Sequence, residues 1–157
     1  MKRNKIYDLL IFVLSAELTG VLSSLISGGG RALYSTFEKP PLSPPGWVFP
    51  VVWTILYALM GISAFLIYHS DGEPVRVKSA LRTYVLQLIV NFSWSIFFFR
   101  FEALWASVAV IAILIILVIV MIVKFAKIRP AAALINIPYL IWLLFAAYLN
   151  VATAILN

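Results

Sequence analysis

The side chains of this chain that could recognise a ligand are indoles, phenols and carboxamides, and they recur at helical spacing. Ser79, Thr83, Gln87, Asn91 and Ser95 stand four residues apart, which draws one polar stripe along a helix, flanked by Trp94 and Phe98. Trp53, Tyr57 and Gly61 repeat the four-residue step, with Ala64 three beyond. Tyr139, Trp142, Ala146 and Asn150 follow at steps of three and four. An amide beside indoles can orient the carbonyl or carboxylate of a ligand whose flat body stacks on the rings. Plainer readings stand beside this one. Amides and hydroxyls hydrogen-bond neighbouring helices in a membrane, a small residue such as Ala146 allows close helix packing, and aromatic rings form belts at the interface. A belt accounts for Trp47 but less well for Trp53, six residues further in.

Conventional catalytic chemistry is missing. The sequence has no cysteine and one histidine, His69, at the end of an apolar stretch, so no metal set can be assembled and His69 is expected to be solvated at the interface. No serine has a histidine partner by sequence logic. Gly28, Gly29 and Gly30 lack the Lys and Ser/Thr of a phosphate-binding loop. Among the six acidic residues only Glu17 falls deep in an apolar stretch. A carboxyl there is a candidate functional group, with a structural bond to a neighbouring helix as the alternative.

The elements that must position these side chains are membrane spans. Hydrophobic residues make up 64% of the 157 residues and charged residues 11%, against roughly half and a quarter in a soluble domain. Five stretches are long enough to cross about 30 Å of hydrocarbon, at residues 7–27, 47–68, 80–99, 103–125 and 131–156. The expectation is an all-α integral membrane protein, a single domain built as a bundle of five transmembrane helices. Pro138 is expected to kink the fifth span. In the first span Ala16, Gly20 and Ser24 form a small-residue packing face. The fourth, nearly pure aliphatic over 108–123, is expected to face lipid or a second protomer. A cleaved leader would fit the basic start of the first span, but its length and Glu17 argue against that.

Nine basic residues (Lys2, Arg3, Lys5, Arg76, Lys78, Arg82, Lys124, Lys127 and Arg129) fall on the side of the N-terminus, and Arg31, Lys39 and Arg100 on the other. This asymmetry predicts a cytoplasmic N-terminus and an external C-terminus. It also explains the net charge of +6 by orientation and headgroup contact rather than by nucleic acid. The loop at 28–46 is then external. Its proline pairs, Pro40-Pro41 and Pro44-Pro45, make a stiff strap leading into Trp47 and Trp53, as expected of a lid over a cavity. No repeat is visible, which argues against the common inverted-repeat transporters.

These residues resemble the TspO/MBR family, the tryptophan-rich sensory proteins that include the mitochondrial translocator protein. The likeness runs through Arg31 and Tyr34, Lys39-Pro40, Pro44-Pro45, Trp47-Val48-Phe49, Val52-Trp53, Leu56-Tyr57 and Met60-Gly61. It continues through Gln87, Asn91, Trp94-Ser95, Phe98-Phe99, Pro138-Tyr139, Trp142, Phe145-Ala146 and Leu149-Asn150. The resemblance implies a five-helix bundle, a homodimer in a bacterial cell membrane, and binding of porphyrins such as protoporphyrin IX or haem, with no resident cofactor required. It also implies binding of benzodiazepine and isoquinoline ligands. The implied pocket is lined by Tyr34, Pro44, Trp53, Asn91, Trp94, Trp142, Ala146 and Leu149. Some bacterial members are associated with light- and oxygen-dependent porphyrin breakdown, which would fall to Tyr34, Trp53 and Trp142; tetrapyrrole transport is the third reading. Leu33 stands where the family commonly has Trp. No basic residue follows Tyr148, so the cholesterol pattern of eukaryotic members is absent.

Overall fold

Asn4 starts the first helix, its side-chain oxygen accepting a hydrogen bond from the Ile6 N–H at 3.1 Å. The computed structural model describes residues 4–28 and 31–157, with Arg31 and Ala32 as backbone only. Lys2 and Arg3 of the charge count, Gly29 and Gly30, and the Arg31 side chain lie outside the described residues. The elements are α1 (Lys5–Ile26), α2 (Arg31–Thr36), α3 (Val48–Tyr68), α4 (Pro74–Ser95), a π-helical turn (Ile96–Arg100), α5 (Leu104–Ala126), α6 (Pro130–Ile135) and α7 (Ile137–Leu156). Pro74 and Pro130 open α4 and α6, where a missing N–H costs nothing. The described residues contain no strand.

Among the described residues, four segments are long and apolar enough to cross a membrane: Lys5–Ile26, Val48–Tyr68, Leu104–Ala126 and Pro130–Leu156. The helix α4 matches them in length, at 22 residues, but its polar stripe and Arg76, Lys78 and Arg82 keep it from being comparably apolar. It starts at Pro74 rather than near 80 and passes into the π-helical turn at Ile96. In the fifth stretch the helix is interrupted at Asn136, two residues before Pro138, so α6 and α7 replace one kinked helix.

The core is drawn from all the long helices: Met60, Ala64 and Ile67 from α3, Ala80 and Tyr84 from α4, Leu114, Val118, Met121 and Phe125 from α5, and Tyr139 and Leu143 from α7. One face of α5 therefore belongs to the interior, contrary to a helix turned wholly to lipid or a partner; Ile113, Ile116 and Val123 occupy its exposed face. Between α1 and α3 the backbones nearly touch. A Cβ on Gly61 would lie 2.6 Å from Val13 Cα and 2.7 Å from the Phe12 carbonyl oxygen. A Cβ on Gly20 would strike the Tyr57 ring at 2.4 Å. The small-residue face of α1 is Ala16 and Gly20 with buried Ser23; Ser24 is exposed.

Candidate ligand-binding site

The strap is latched at several points to the end of the bundle it crosses. Residues 37–47 contain no helix. Leu42 sits at φ 68°, a left-handed conformation unusual for a side chain of its kind, inside a turn closed by Ser43 N–H and Oγ on the Pro40 carbonyl. The Tyr34 hydroxyl donates to the Pro44 carbonyl at 2.8 Å, and the Lys39 ammonium lies 4.7 Å from the Tyr34 ring centroid. From α7, the Tyr148 hydroxyl donates to the Pro41 carbonyl at 2.8 Å, and the Asn157 amide pairs with both the N–H and the carbonyl of Glu38. Partial burial raises the pKa of Tyr34, with a hydrogen bond from Ser43 opposing it, so the phenol that holds the latch stays protonated well into alkaline solution.

Beneath the strap runs a wall of rings. Tyr34 meets Phe49 edge-on at 5.1 Å, Phe49 meets Trp142 at 6.0 Å, and Trp142 meets Phe145 at 5.5 Å. Phe145 in turn stacks on Tyr148. Three helices thus contribute: α2 gives Tyr34, α3 gives Phe49, and α7 gives the remainder. The indole N–H of Trp142 is buried and has no hydrogen-bond partner among the described residues. Of the buried polar atoms without a partner, Tyr84 Oη and Asn136 Oδ1 belong to other parts of the bundle, and the Trp142 nitrogen alone belongs to this wall.

Deeper in, Asn91, Trp53 and Trp94 bond and pack within the bundle. Asn91, only 3% exposed, accepts from the Tyr57 hydroxyl at 2.9 Å and donates to the Tyr139 hydroxyl at 2.7 Å. Tyr139 donates onward to Gln87 Oε1 at 2.8 Å, and Gln87 Nε2 points at the Met60 sulfur at 3.6 Å. Trp53 packs against the same two phenols, at 5.7 Å from Tyr57 and 6.2 Å from Tyr139. The other indole, Trp94, donates to Asn150 Oδ1 at 2.8 Å and stacks on Phe98, while Asn150 Nδ2 reaches Ser107 Oγ at 2.9 Å. The ends of the stripe are occupied too. Lys124 donates to Ser79 and Thr83, and Ser95 bonds Ser23 of α1.

The structure therefore links Tyr34 directly to Pro44 of the strap and, through Phe49, to Trp142, and it joins Trp53 to Asn91 through Tyr57 and Tyr139. Trp53 and Trp142 share no direct ring contact. Trp94 forms a separate group with Phe98 and Asn150, and Phe37 of the loop packs on Phe98 at 5.6 Å. Ala146 and Leu149 are buried along α7. Two open grooves, of about 710 and 450 Å³, lie elsewhere, and none of the eight predicted residues lines either. Phe49 and Phe145 are members of the wall that sequence reasoning did not assign to the site. Their signal was spacing, four residues before Trp53 and three after Trp142.

One titratable group also differs from expectation. His69 is not simply solvated, because its Nε2 lies 3.0 Å from Oδ2 of Asp8, which is 2% exposed. Glu17 is only half-buried, so the most enclosed carboxyl is Asp8. Among the described residues no group of three or more His, Cys, Asp or Glu side chains could hold a metal.

The sequence model of the TspO/MBR family matches residues 11–156. The chain is 35% identical to the tryptophan-rich protein TspO of Chlorobaculum tepidum over 79% of its own length and 78% of that protein's. It is 36% identical to the tryptophan-rich protein TspO of Archaeoglobus fulgidus, covering 79% of each. Against the translocator protein of Ovis aries identity is 33%, over 80% of this chain and 75% of the other. The match spans the strap, the ring wall and the helices that carry them, and the chain is an integral membrane protein of the TspO/MBR family.

Proposed function

We propose that the chain is a membrane receptor or sensor that takes up a flat tetrapyrrole, protoporphyrin IX or haem, between the strap and the ring wall, and that benzodiazepine and isoquinoline ligands use the same place. The observation that carries this reading is the Trp142 indole N–H, buried and without an acceptor between Phe49 and Phe145. A buried donor left unpaired costs about 1–3 kcal/mol. A ligand carboxylate or carbonyl would recover that cost while its ring system stacks on the aromatic faces. The strap acts as the lid, released by breaking the Tyr34, Tyr148 and Asn157 hydrogen bonds.

In the same reading α4 is a fifth transmembrane helix. Its charges are confined to Arg76, Lys78 and Arg82 near its start, and the stretch from Thr83 to Ser95 carries none. The polar groups there bond inward to Lys124, Tyr139, Tyr57 and Ser23, which lowers the cost of crossing lipid. In this reading the N-terminus lies in the cytoplasm and the strap outside, an orientation that the excess of basic residues on the N-terminal side supports, in a bacterial cell membrane and with a homodimer as the working assembly. The test is protoporphyrin IX titration of the purified chain, read by tryptophan quenching. Trp53→Phe with Trp142→Phe weakens binding by at least about tenfold, the value of one lost polar contact near 1.4 kcal/mol. Unchanged affinity in the double variant removes the pocket.

A further inference from the structure

At the other end of α3 from the strap, the outer face of α4 lines an open groove of about 710 Å³. That volume lies within the roughly 300–1,000 Å³ of clefts that hold small molecules. Pro74 and Val77 line it beside Lys78 and Arg82 toward the helix start, and beyond Arg82 the lining is Val85, Leu86 and Ile89, with Leu81 between the two bases. Pro74 and Ile89 both line it, so it runs fifteen residues along the helix, roughly 22 Å at 1.5 Å per residue. Lys78 and Arg82 are one turn apart on one face. Neither is ion-paired among the described residues, whereas nearby Arg76 is held by Glu73 at 2.9 Å. No acidic residue lines the groove.

We infer that this groove is a binding site for one anionic glycerophospholipid of the adjoining leaflet, its phosphate on Lys78 and Arg82 and an acyl chain along Leu81, Val85, Leu86 and Ile89. The two ends differ in the way a lipid differs. This inference rests on the reading of α4 as a membrane-crossing helix: unpaired positive charge then sits where α4 enters the membrane, and apolar surface continues from it toward the interior. A second copy of the chain fits less well. Two protomers related by an axis along the membrane normal would meet at equal depth, setting Lys78 and Arg82 against their own like charges. The site is separate from the strap and does not depend on what binds there.

The experiment is native mass spectrometry of the full chain, released from micelles holding equal amounts of phosphatidylglycerol and phosphatidylcholine with the same acyl chains. The intact chain retains phosphatidylglycerol in preference. Two basic contacts at a membrane surface correspond to about thirtyfold in relative affinity, so Lys78→Ala with Arg82→Ala loses about that factor. Arg76→Ala removes an equal charge outside the groove and keeps the preference. If the alanine pair fails to fold, Lys78→Gln with Arg82→Gln is read in the same way. Equal retention of both lipids, a preference that survives the double variant, or its equal loss in Arg76→Ala overturns the inference. Because the chain has no cysteine of its own, Val85→Cys tests the rival occupant. The variant forms no disulfide-linked dimer on oxidation in phosphatidylglycerol vesicles, whereas such a dimer as the main product would place a second copy in the groove instead.

Discussion

Replacing Asn91 by leucine keeps the volume of the side chain nearly constant while removing both of its hydrogen bonds. The Tyr57 hydroxyl then loses its acceptor, 2.9 Å away, in a place where Tyr57 is 5% exposed and water does not reach. Tyr139 keeps Gln87 as its acceptor and loses only the bond it accepted. A stranded buried donor costs about 1–3 kcal/mol and an ordinary lost bond about 1 kcal/mol. Interhelical bonds in membranes average nearer 0.6 kcal/mol, because the unfolded chain in the membrane also finds partners. The expected loss is therefore about 2 kcal/mol. In a double-mutant cycle of Tyr57→Phe and Asn91→Leu, the coupling should be about 1 kcal/mol, since each single change already breaks the shared bond. The assay is reversible unfolding in mixed detergent micelles followed by circular dichroism, with porphyrin affinity measured on the same samples. Additivity within about 0.3 kcal/mol would refute the relay. Lost affinity at unchanged stability would refute it differently, by showing that the amide serves the ligand rather than the bundle.

Three further outcomes follow from the same geometry. Gly61→Ala drives its new methyl into the backbone of α1 at Phe12 and Val13, which cannot swing aside, so thermal unfolding should show a loss of about 1–3 kcal/mol; an unchanged melting temperature would mean that α1 and α3 are not in contact there. Trp142→Phe alone removes a buried unpaired donor, so stability should stay level or rise by up to about 1 kcal/mol while porphyrin quenching weakens; a large loss of stability would show that the nitrogen has a partner in the fold. The folded chain holds the Tyr34 proton more tightly than the unfolded chain does, so the contribution of the latch is complete below the ordinary phenol value of 10.0 and is lost as pH rises through the elevated folded value. Protease cleavage of the strap should increase in step with phenolate absorbance, and Tyr34→Phe should abolish that step; cleavage that rises already near neutral pH would dissociate the latch from the phenol.

Much of the architecture was readable because a bilayer leaves few choices. Apolar runs of about 20 residues, punctuated by Pro74, Pro130 and glycines, gave the long helices to within a few residues, except at α4. There the hydrophobic run began at Ala80, but the helix extends back to Pro74, where proline at the first position favours a start and basic residues can reach the headgroups. Pro138 is legible as the cause of a kink, but not that the helix is interrupted at Asn136, upstream of the proline, whose missing N–H leaves a carbonyl of the preceding turn without its helical bond. The Asp8–His69 pair was out of reach for a different reason. Sixty-one positions separate the two residues, and only the close approach of α1 and α3 at Gly61 brings them together.

For the site, periodicity found the right faces but could not say what they face. The stripe on α4 and the aromatic steps on α3 and α7 look alike in sequence, polar or ring-bearing groups turned toward a bundle interior. The structure separates them by hydrogen-bond completeness. Asn91, Gln87, Ser95 and Thr83 each have a partner on another helix, so a ligand would have to compete with bonds already made. Trp142 has none at its nitrogen, and so a ligand there gains a bond without breaking one. Low dielectric strengthens this contrast, because an unpaired polar group costs more there than in water. A polar face that is fully paired stabilises the bundle; one unpaired donor in an otherwise apolar wall favours an acceptor from outside it. For the binding proposed above, that criterion moves the weight of recognition from Asn91 to Trp142, and makes the rings that flank Trp142, Phe49 and Phe145, the positions to vary in a test of ligand shape.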